Sequence, residues 1–571
     1  MLDRNIKFNN LKEMISISHE KFGNRPAFYI EGDSLDNSRV VTYNEYYEDI
    51  NSLGTAMLEM GLKGKKIALI SENRYEWEVA YLAVCSGTGI VVPLDKGLPQ
   101  GEIESLIVRS GAEAIFYSKK YNDIMAGIQK QGNTRLKYFI SMDLEENDFN
   151  KFSQKSITKK GKELLAQGNT EFLDRKIDNN EMSIMLFTSG TTNVSKAVEL
   201  SHKNICTNIL DIRNVFEVDE TDRFLSFLPL HHTFECTVGF LYPISVGSSI
   251  VFSKGVRHIS DELKNFKITA MIAVPALAER MYDKLIKALA EKGKLETVKK
   301  AIKMSNLLSK VGIDLKRKLF KEIHEGLGGN LRIMVVGGAS LDPEKEKGFW
   351  DLGFNVLQGY GLTETSPVIS AELTHQKRLT SIGKKMPNVE IKIDEPNEQG
   401  IGELIVKGDS VTSGYYENDE ANKEAFTSDG WFRTGDLARI DKDGYIYISG
   451  RKKFVIVLKN GKNVYPEEIE TLINKSDLVN ESMVFGIPDT DGDVTLAVKV
   501  VYNKEYIEKT YGAISEEEIK NEIWKYVKQV NITMPTYKYL KKLVITDKEL
   551  IKTTTLKIKR NVEIKETINA L

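Results

Sequence analysis

A chain of 571 residues is too long for one hydrophobic core, so the sequence calls for a large multilayer unit and at least one separate domain. Its 79 basic and 81 acidic residues leave a net charge of −2, which removes any electrostatic reason to expect a nucleic-acid partner. Three scattered cysteines, Cys85, Cys206 and Cys236, exclude a disulfide scaffold and a cysteine metal cluster, and read as small buried residues in a reducing compartment.

The opening MLDRNIKFNN lacks the charged-then-apolar layout of a signal peptide, so cytoplasmic residence is the expectation. Thr42-Tyr43-Asn44-Glu45 has the spacing of a capping box, and Tyr46, Ile50, Leu53, Met57 and Met60 then mark one face of a helix. Residues 67–70 read as a strand, 77–84 as a helix and 90–94 as a second strand. This βαβ rhythm implies a mostly parallel sheet covered by helices. The polar stretch 147–180 predicts a surface excursion.

Ile184-Met185-Leu186-Phe187 is a short buried strand leading into TSGTTNVSKAV. That loop offers four hydroxyls (Thr188, Ser189, Thr191, Thr192), Gly190, and one cation, Lys196. Backbone N–H groups and hydroxyls in such a loop surround polyphosphate oxygens while an ammonium offsets their charge. A Walker loop needs GK followed by Ser or Thr, whereas Ser195 precedes Lys196 and Ala197 follows it. An ordinary hydroxyl-rich surface turn is the alternative.

Leu228-Pro229-Leu230-His231-His232-Thr233-Phe234-Glu235 pairs two of only seven histidines. A metal reading is weak, because adjacent side chains point apart and no third ligand is near in sequence. The alternative is two partly buried, hydrogen-bonded rings. The uncharged run 236–253 is broken by Gly239, Pro243 and Gly247, so it predicts a buried helix–turn–strand and no transmembrane span. Residues 270–274 read as a strand. The basic stretch 284–324 reads as a solvated amphipathic hairpin, with peripheral membrane contact as the lesser alternative.

RIMVVGG, 332–338, is a strand ending in Gly337 and Gly338, after which Asp342-Pro343 starts a helix. Gln358-Gly359-Tyr360-Gly361-Leu362-Thr363-Glu364-Thr365 follows. The glycine-lined strand ends leave narrow surfaces where a flat base fits against backbone and the Tyr360 ring. Thr363 is a phosphate donor and Glu364 a hard oxygen ligand suited to Mg²⁺. Beyond Gly383 the pattern changes to short alternating strands, with a hairpin around Asp441-Lys442-Asp443-Gly444. In WFRTGDL, Asp436 occupies a glycine-flanked turn where its carboxylate can accept both hydroxyls of a ribose. Gly450-Arg451-Lys452-Lys453 reads as a boundary, and Pro466 opens a helix of a smaller α+β domain. KTTTLKIKR, 552–560, reads by composition as a solvated tail.

Seven of these stretches, in this order, resemble the adenylate-forming ligases, which include acyl-CoA synthetases, luciferases and peptide-synthetase adenylation domains. The resemblance spans roughly residues 42–560, and LPLHHTFE with the helical segment before RIMVVGGASLD resembles the long-chain fatty acyl-CoA synthetase branch. It implies an α/β fold: a large multilayer N-terminal domain (1–450) with βαβ-type sheets and a small barrel-like β region. A small, mobile α+β C-terminal domain (451–571) completes it.

The resemblance assigns Thr188 through Thr192 and Lys196 to the ATP β- and γ-phosphates. Gly337, Gly338 and Tyr360 go to the adenine pocket, with Gly361 beside them as a further cofactor-binding residue, Thr363 to the α-phosphate and Glu364 to Mg²⁺. It gives Asp436, with Arg451, to the ribose and His232 to the acyl carboxylate. Lys453 falls at the hinge, Lys557 at the catalytic lysine, and Gly461 at the pantetheine path of CoA. The implied reaction activates a fatty acid with ATP to acyl-AMP, releasing pyrophosphate, and then transfers the acyl group to CoA. An acyl-AMP ligase, a carrier-protein acceptor and a non-catalytic binding protein are the alternatives. Asn193, Ser195, Ala197 and Leu556 depart from the family pattern beside the phosphate loop and the catalytic lysine.

Overall fold

Successive side chains of strand Lys66–Ile70 leave on opposite faces, and both faces are buried. Ile67 and Leu69 enter one core, Ala68 and Ile70 another. A strand buried on both faces belongs in a helix-covered parallel sheet. The computed structural model describes residues 6–148, 151–188, 195–459, 462–488, 494–552 and 558–570. It pairs this strand in parallel with Ile90–Pro93 and Ala114–Tyr117 inside an eight-stranded sheet. The same sheet carries Met182–Thr188 beside Ile90–Pro93, then the antiparallel Lys196–Ser201.

A nine-stranded sheet is built around parallel strands Ser249–Phe252, Arg223–Ser226, Ala270–Ala273, Ile333–Val336 and Val356–Gly361, side by side in that order. Helices Tyr43–Glu59, Tyr75–Ala83 and His202–Val215 contribute to one core shared with both sheets. Thr42 caps the first of them, its hydroxyl accepting from the Glu45 N–H at 3.2 Å. The run 236–253 forms helix Phe234–Leu241, helix Tyr242–Val246 and strand Ser249–Phe252, all inside this core. The three cysteines are free and buried. Among the described residues no helix is long and apolar enough to cross a membrane.

Two segments ahead of the C-terminal domain differ from expectation. In place of a surface excursion over 147–180, helix Gln154–Ala166 packs along Tyr43–Glu59, and Phe172 is fully buried. The approach is close because Gly161 lacks a side chain: a Cβ there would lie 1.8 Å from the Ser52 carbonyl oxygen. Polar composition misleads here because the buried stripe is only Gln154, Ile157 and Gly161. The barrel-like region is an open antiparallel sheet of four strands, Val389–Asp394, Gly402–Gly408, Phe432–Ile440 and Ile446–Arg451. No closed barrel forms among the described residues.

The smaller C-terminal domain has its own core, in which Ile469, Ile473, Val498, Ile523 and Val527 join helices Pro466–Ile473 and Glu516–Ile532 to a three-stranded sheet. The basic run does not end as a solvated tail. Arg560 is buried and grips Glu470 with both arms, Nη1 to Oε1 at 2.7 Å and Nη2 to Oε2 at 2.5 Å. Helix Arg560–Asn569 is held further by Lys499 donating to Glu563 at 2.7 Å. Helix Leu295–Ser309 and the turn after it expose Met304, Leu307 and Val311 beside Lys303 and Lys310.

Candidate active site

The ends of both large sheets, the four-stranded sheet and the start of helix Arg560–Asn569 enclose one cavity of about 2400 Å³. A pocket for one drug-sized ligand is typically about 300–1,000 Å³, so this cavity has room for more than one substrate.

Asp436 sits in strand Phe432–Ile440 directly opposite Arg451 of the antiparallel strand Ile446–Arg451. That register brings Arg451 Nε within 2.9 Å of Asp436 Oδ1. Tyr360, from the end of Val356–Gly361, donates its hydroxyl to Asp436 Oδ2 at 2.5 Å. Burial, then the Asp436 charge, holds the Tyr360 hydroxyl well above the usual phenol range. Asp436 is 3% exposed, so a strongly polarised carboxylate lies under the cavity floor beside a tyrosine ring. Gly337 and Gly338 follow the adjacent parallel strand Ile333–Val336 and line the same wall. Gly361 must be glycine, since a Cβ there would stand 1.8 Å from the Pro367 carbonyl oxygen.

Thr363 and Glu364 occupy the short helical turn that follows. Thr363 Oγ1 is 3.5 Å from Thr233 Oγ1, and the Tyr415 hydroxyl donates to Glu364 Oε1 at 2.9 Å. Lys196 Nζ lies 4.7 Å from the centroid of the same Tyr415 ring, so the cation and the carboxylate share one phenol. Thr188 pairs with Lys196 across the base of the loop, its hydroxyl donating to the Lys196 carbonyl at 3.4 Å. The Arg109 guanidinium holds the Ser195 carbonyl and lies 5.2 Å from the Phe187 ring, clamping the loop's exit from helix Gln100–Ser110. Ser189, Gly190, Thr191, Thr192, Gly461 and Lys557 lie outside the described residues. The residues flanking Lys557's segment, Lys552 and Ile558, bridge to each other and line the cavity. Lys453 lines it too, its amine pushed down to about 8 by lost hydration and then by the Arg451 charge.

His231 and His232 do not diverge as adjacency predicts: their ring centroids are 4.2 Å apart. A third group is also present, Asp95, which follows strand Ile90–Pro93 and places Oδ1 3.3 Å from His231 Nε2. Apolar residues Phe216, Phe227, Phe234, Val238, Val335 and Val368 complete this end of the cavity. Sequence reasoning missed that wall, along with Asp95, Arg109 and Tyr415. Each is an ordinary residue in an ordinary element until the sheets bring it to the site.

Behind His232, Glu235 is fully buried and accepts the Ser226 hydroxyl at 2.6 Å. Burial pushes its carboxyl from 4.5 up to about 8. The native state therefore keeps a proton that the unfolded chain gives up. This contribution is fully present below pH 4.5 and is lost as pH rises to about 8, at up to about 1.4 kcal/mol per pH unit. Glu235→Gln keeps the acceptor for Ser226 and removes the titration. Denaturant midpoints of wild type are expected to fall more steeply between pH 6 and 8 than those of the variant. Parallel midpoint–pH curves would show that Glu235 is ionised in the fold.

The chain matches the family model of the AMP-binding enzymes over residues 16–416 and that of the AMP-binding enzyme C-terminal domain over 453–569. It belongs to the AMP-binding enzyme family. Among its relatives, the long-chain-fatty-acid–CoA ligase FadD15 of Mycobacterium bovis is 26% identical over 91% of this chain and 90% of its own length. Fatty acyl-CoA synthetase B of Dictyostelium discoideum is 29% identical over 82% of this chain and 74% of its own. The crystal structure of ATP-bound MatB from Rhodopseudomonas palustris shares the fold, with a TM-score of 0.74 at 23% identity over 98% and 99% of the two chains.

Proposed function

We propose that the chain is an AMP-forming acyl-CoA synthetase that activates a long-chain fatty acid. The observation that carries the reading is the meeting, in one cavity, of three features. These are the Asp436–Tyr360–Arg451 cluster, the Lys196–Tyr415–Glu364 cluster and an apolar wall that starts beside His232. The first fits a ribose with an adjacent base, the second a polyphosphate, and the third an acyl chain.

In the first step a carboxylate oxygen attacks the ATP α-phosphorus and pyrophosphate leaves. A carboxylate is a poor nucleophile and ATP is highly anionic, so the protein's task is alignment and charge neutralisation. Lys196 offsets charge on the leaving pyrophosphate, Thr363 binds the α-phosphate, and Asp436 holds the ribose. His232 positions the acyl carboxylate and Lys557 neutralises charge between carboxylate and phosphorus. The Glu364 carboxylate, held by Tyr415 next to the Thr363 hydroxyl, is the hard-oxygen donor set that Mg²⁺ takes. When bound there, Mg²⁺ supplies Lewis-acid stabilisation of phosphoryl oxygens. In the second step the CoA thiolate attacks the acyl-adenylate carbonyl and AMP leaves.

Residues 1–450 form the adenylation domain and 451–571 the mobile domain. The latter turns about Lys453 to exchange Lys557 for the Gly461 face.

The test is pyrophosphate release with acids from acetate to long-chain, with and without CoA. Each methylene added against the apolar wall contributes about 0.8 kcal/mol, so KM is expected to fall steadily into the long-chain range. Highest kcat/KM with acetate or an aromatic acid would overturn the long-chain assignment. Acyl-AMP accumulating with CoA present would point to a carrier-protein acceptor.

A further inference from the structure

We propose that Asp95, His231 and His232 form a three-ligand site for a zinc-class divalent ion on the cavity wall, separate from any cation on Glu364. The carboxylate and the two imidazoles each present one ligand atom, and these atoms all lie within 4.8 Å of one another. A tetrahedral ion with bonds of about 2.0–2.1 Å needs its ligands roughly 3.3–3.4 Å apart. His231 Nε2 and Asp95 Oδ1 already stand 3.3 Å apart.

Two further observations point to a ligand. The His231 side chain is only 6% exposed, and its Nε2 makes no hydrogen bond although it faces the carboxylate. A buried ring nitrogen without a hydrogen bond is costly, and a metal ion satisfies it. Asp95 is fixed from behind, its Oδ1 accepting the Gly97 N–H at 2.8 Å, as outer-shell partners fix metal-binding carboxylates.

Two imidazoles and one carboxylate select a borderline ion such as Zn²⁺ over Mg²⁺, which prefers oxygen alone. Three protein ligands leave a fourth position, and all three residues line the cavity, so that position opens toward it. On the function proposed above, the bound ion takes His232 away from the acyl carboxylate. Its presence therefore inhibits adenylation.

The experiment uses the full chain, stripped with a chelator and titrated with Co²⁺ as a visible probe. One equivalent is expected to bind with the absorption of a tetrahedral site and to be displaced by Zn²⁺. Asp95→Asn and His231→Gln are expected to lose that absorption with unchanged circular dichroism, whereas Glu364→Gln keeps it. Zn²⁺ is expected to depress pyrophosphate release by wild type and to leave Asp95→Asn at its own zinc-free rate. Equal cobalt uptake and identical spectra in wild type and both site variants would overturn the site. Tetrahedral cobalt with undiminished pyrophosphate release would overturn the inhibition. Should no acid support pyrophosphate release, the proposed function falls while the cobalt spectra still decide the metal site.

Discussion

Glu364→Gln is expected to lower pyrophosphate release by about a hundredfold or more at saturating ATP and Mg²⁺. The substitution keeps shape and keeps an oxygen for the Tyr415 hydroxyl, which donates to Oε1 at 2.9 Å. What it removes is the negative charge that a hard divalent cation needs in its shell. A hundredfold is about 2.7 kcal/mol of barrier, a fraction of what charge stabilisation at a transferring phosphorus supplies. The loss is expected in kcat as well as in the apparent affinity for Mg·ATP, because the charge matters most while the α-phosphorus is under attack. Near-normal turnover at saturating Mg²⁺ would remove Glu364 from the metal shell.

Lys557→Ala is expected to slow adenylation by about two to three powers of ten, the range for losing a preorganised electrostatic partner. Thioester formation from synthetic acyl-AMP and CoA is expected to change little, since that step no longer brings a carboxylate up to an anionic phosphate. Gly461→Leu is expected to do the reverse, blocking the pantetheine path while pyrophosphate release continues. Lys552 and Ile558, on either side of that segment, both line the cavity. Equal loss of both half-reactions in a folded Lys557→Ala chain would count against alternation of the small domain. No loss in either would leave Lys557 a solvent-facing residue.

How much of this was legible in the sequence depended on how local the cause was. Strand Lys66–Ile70, helix Pro343–Asp351 behind its Asp342 cap, and the hairpin around Asp441–Gly444 follow from periodicity, capping and turn chemistry within a few residues. Asp436, Tyr360 and Glu364 stood out because of the glycines near them, although Asp436 lies within strand Phe432–Ile440 and Tyr360 within strand Val356–Gly361 rather than in turns. The helix Gln154–Ala166 was hidden because its contact is made through the absence of a side chain at Gly161, which leaves no apolar stripe to read. Arg560 was hidden because its partner Glu470 lies on another helix, so a buried ion pair looked like one more charge in a basic run. Asp95 is the plainest case. Nothing near His231 in sequence announces it, and only the parallel pairing of Ile90–Pro93 carries it to the site.

The cavity wall runs from Glu72 to Val562, so its components are made at opposite ends of translation. Domains fold as they emerge, the N-terminal part first. Both large sheets can therefore be complete on the ribosome while the wall formed by Lys552, Ile558 and Arg560 is still unmade. During that interval the cavity lacks the side that Lys552, Ile558 and Arg560 supply in the finished chain. A nascent chain in this state has the sheet ends of its site in place before the site itself is complete.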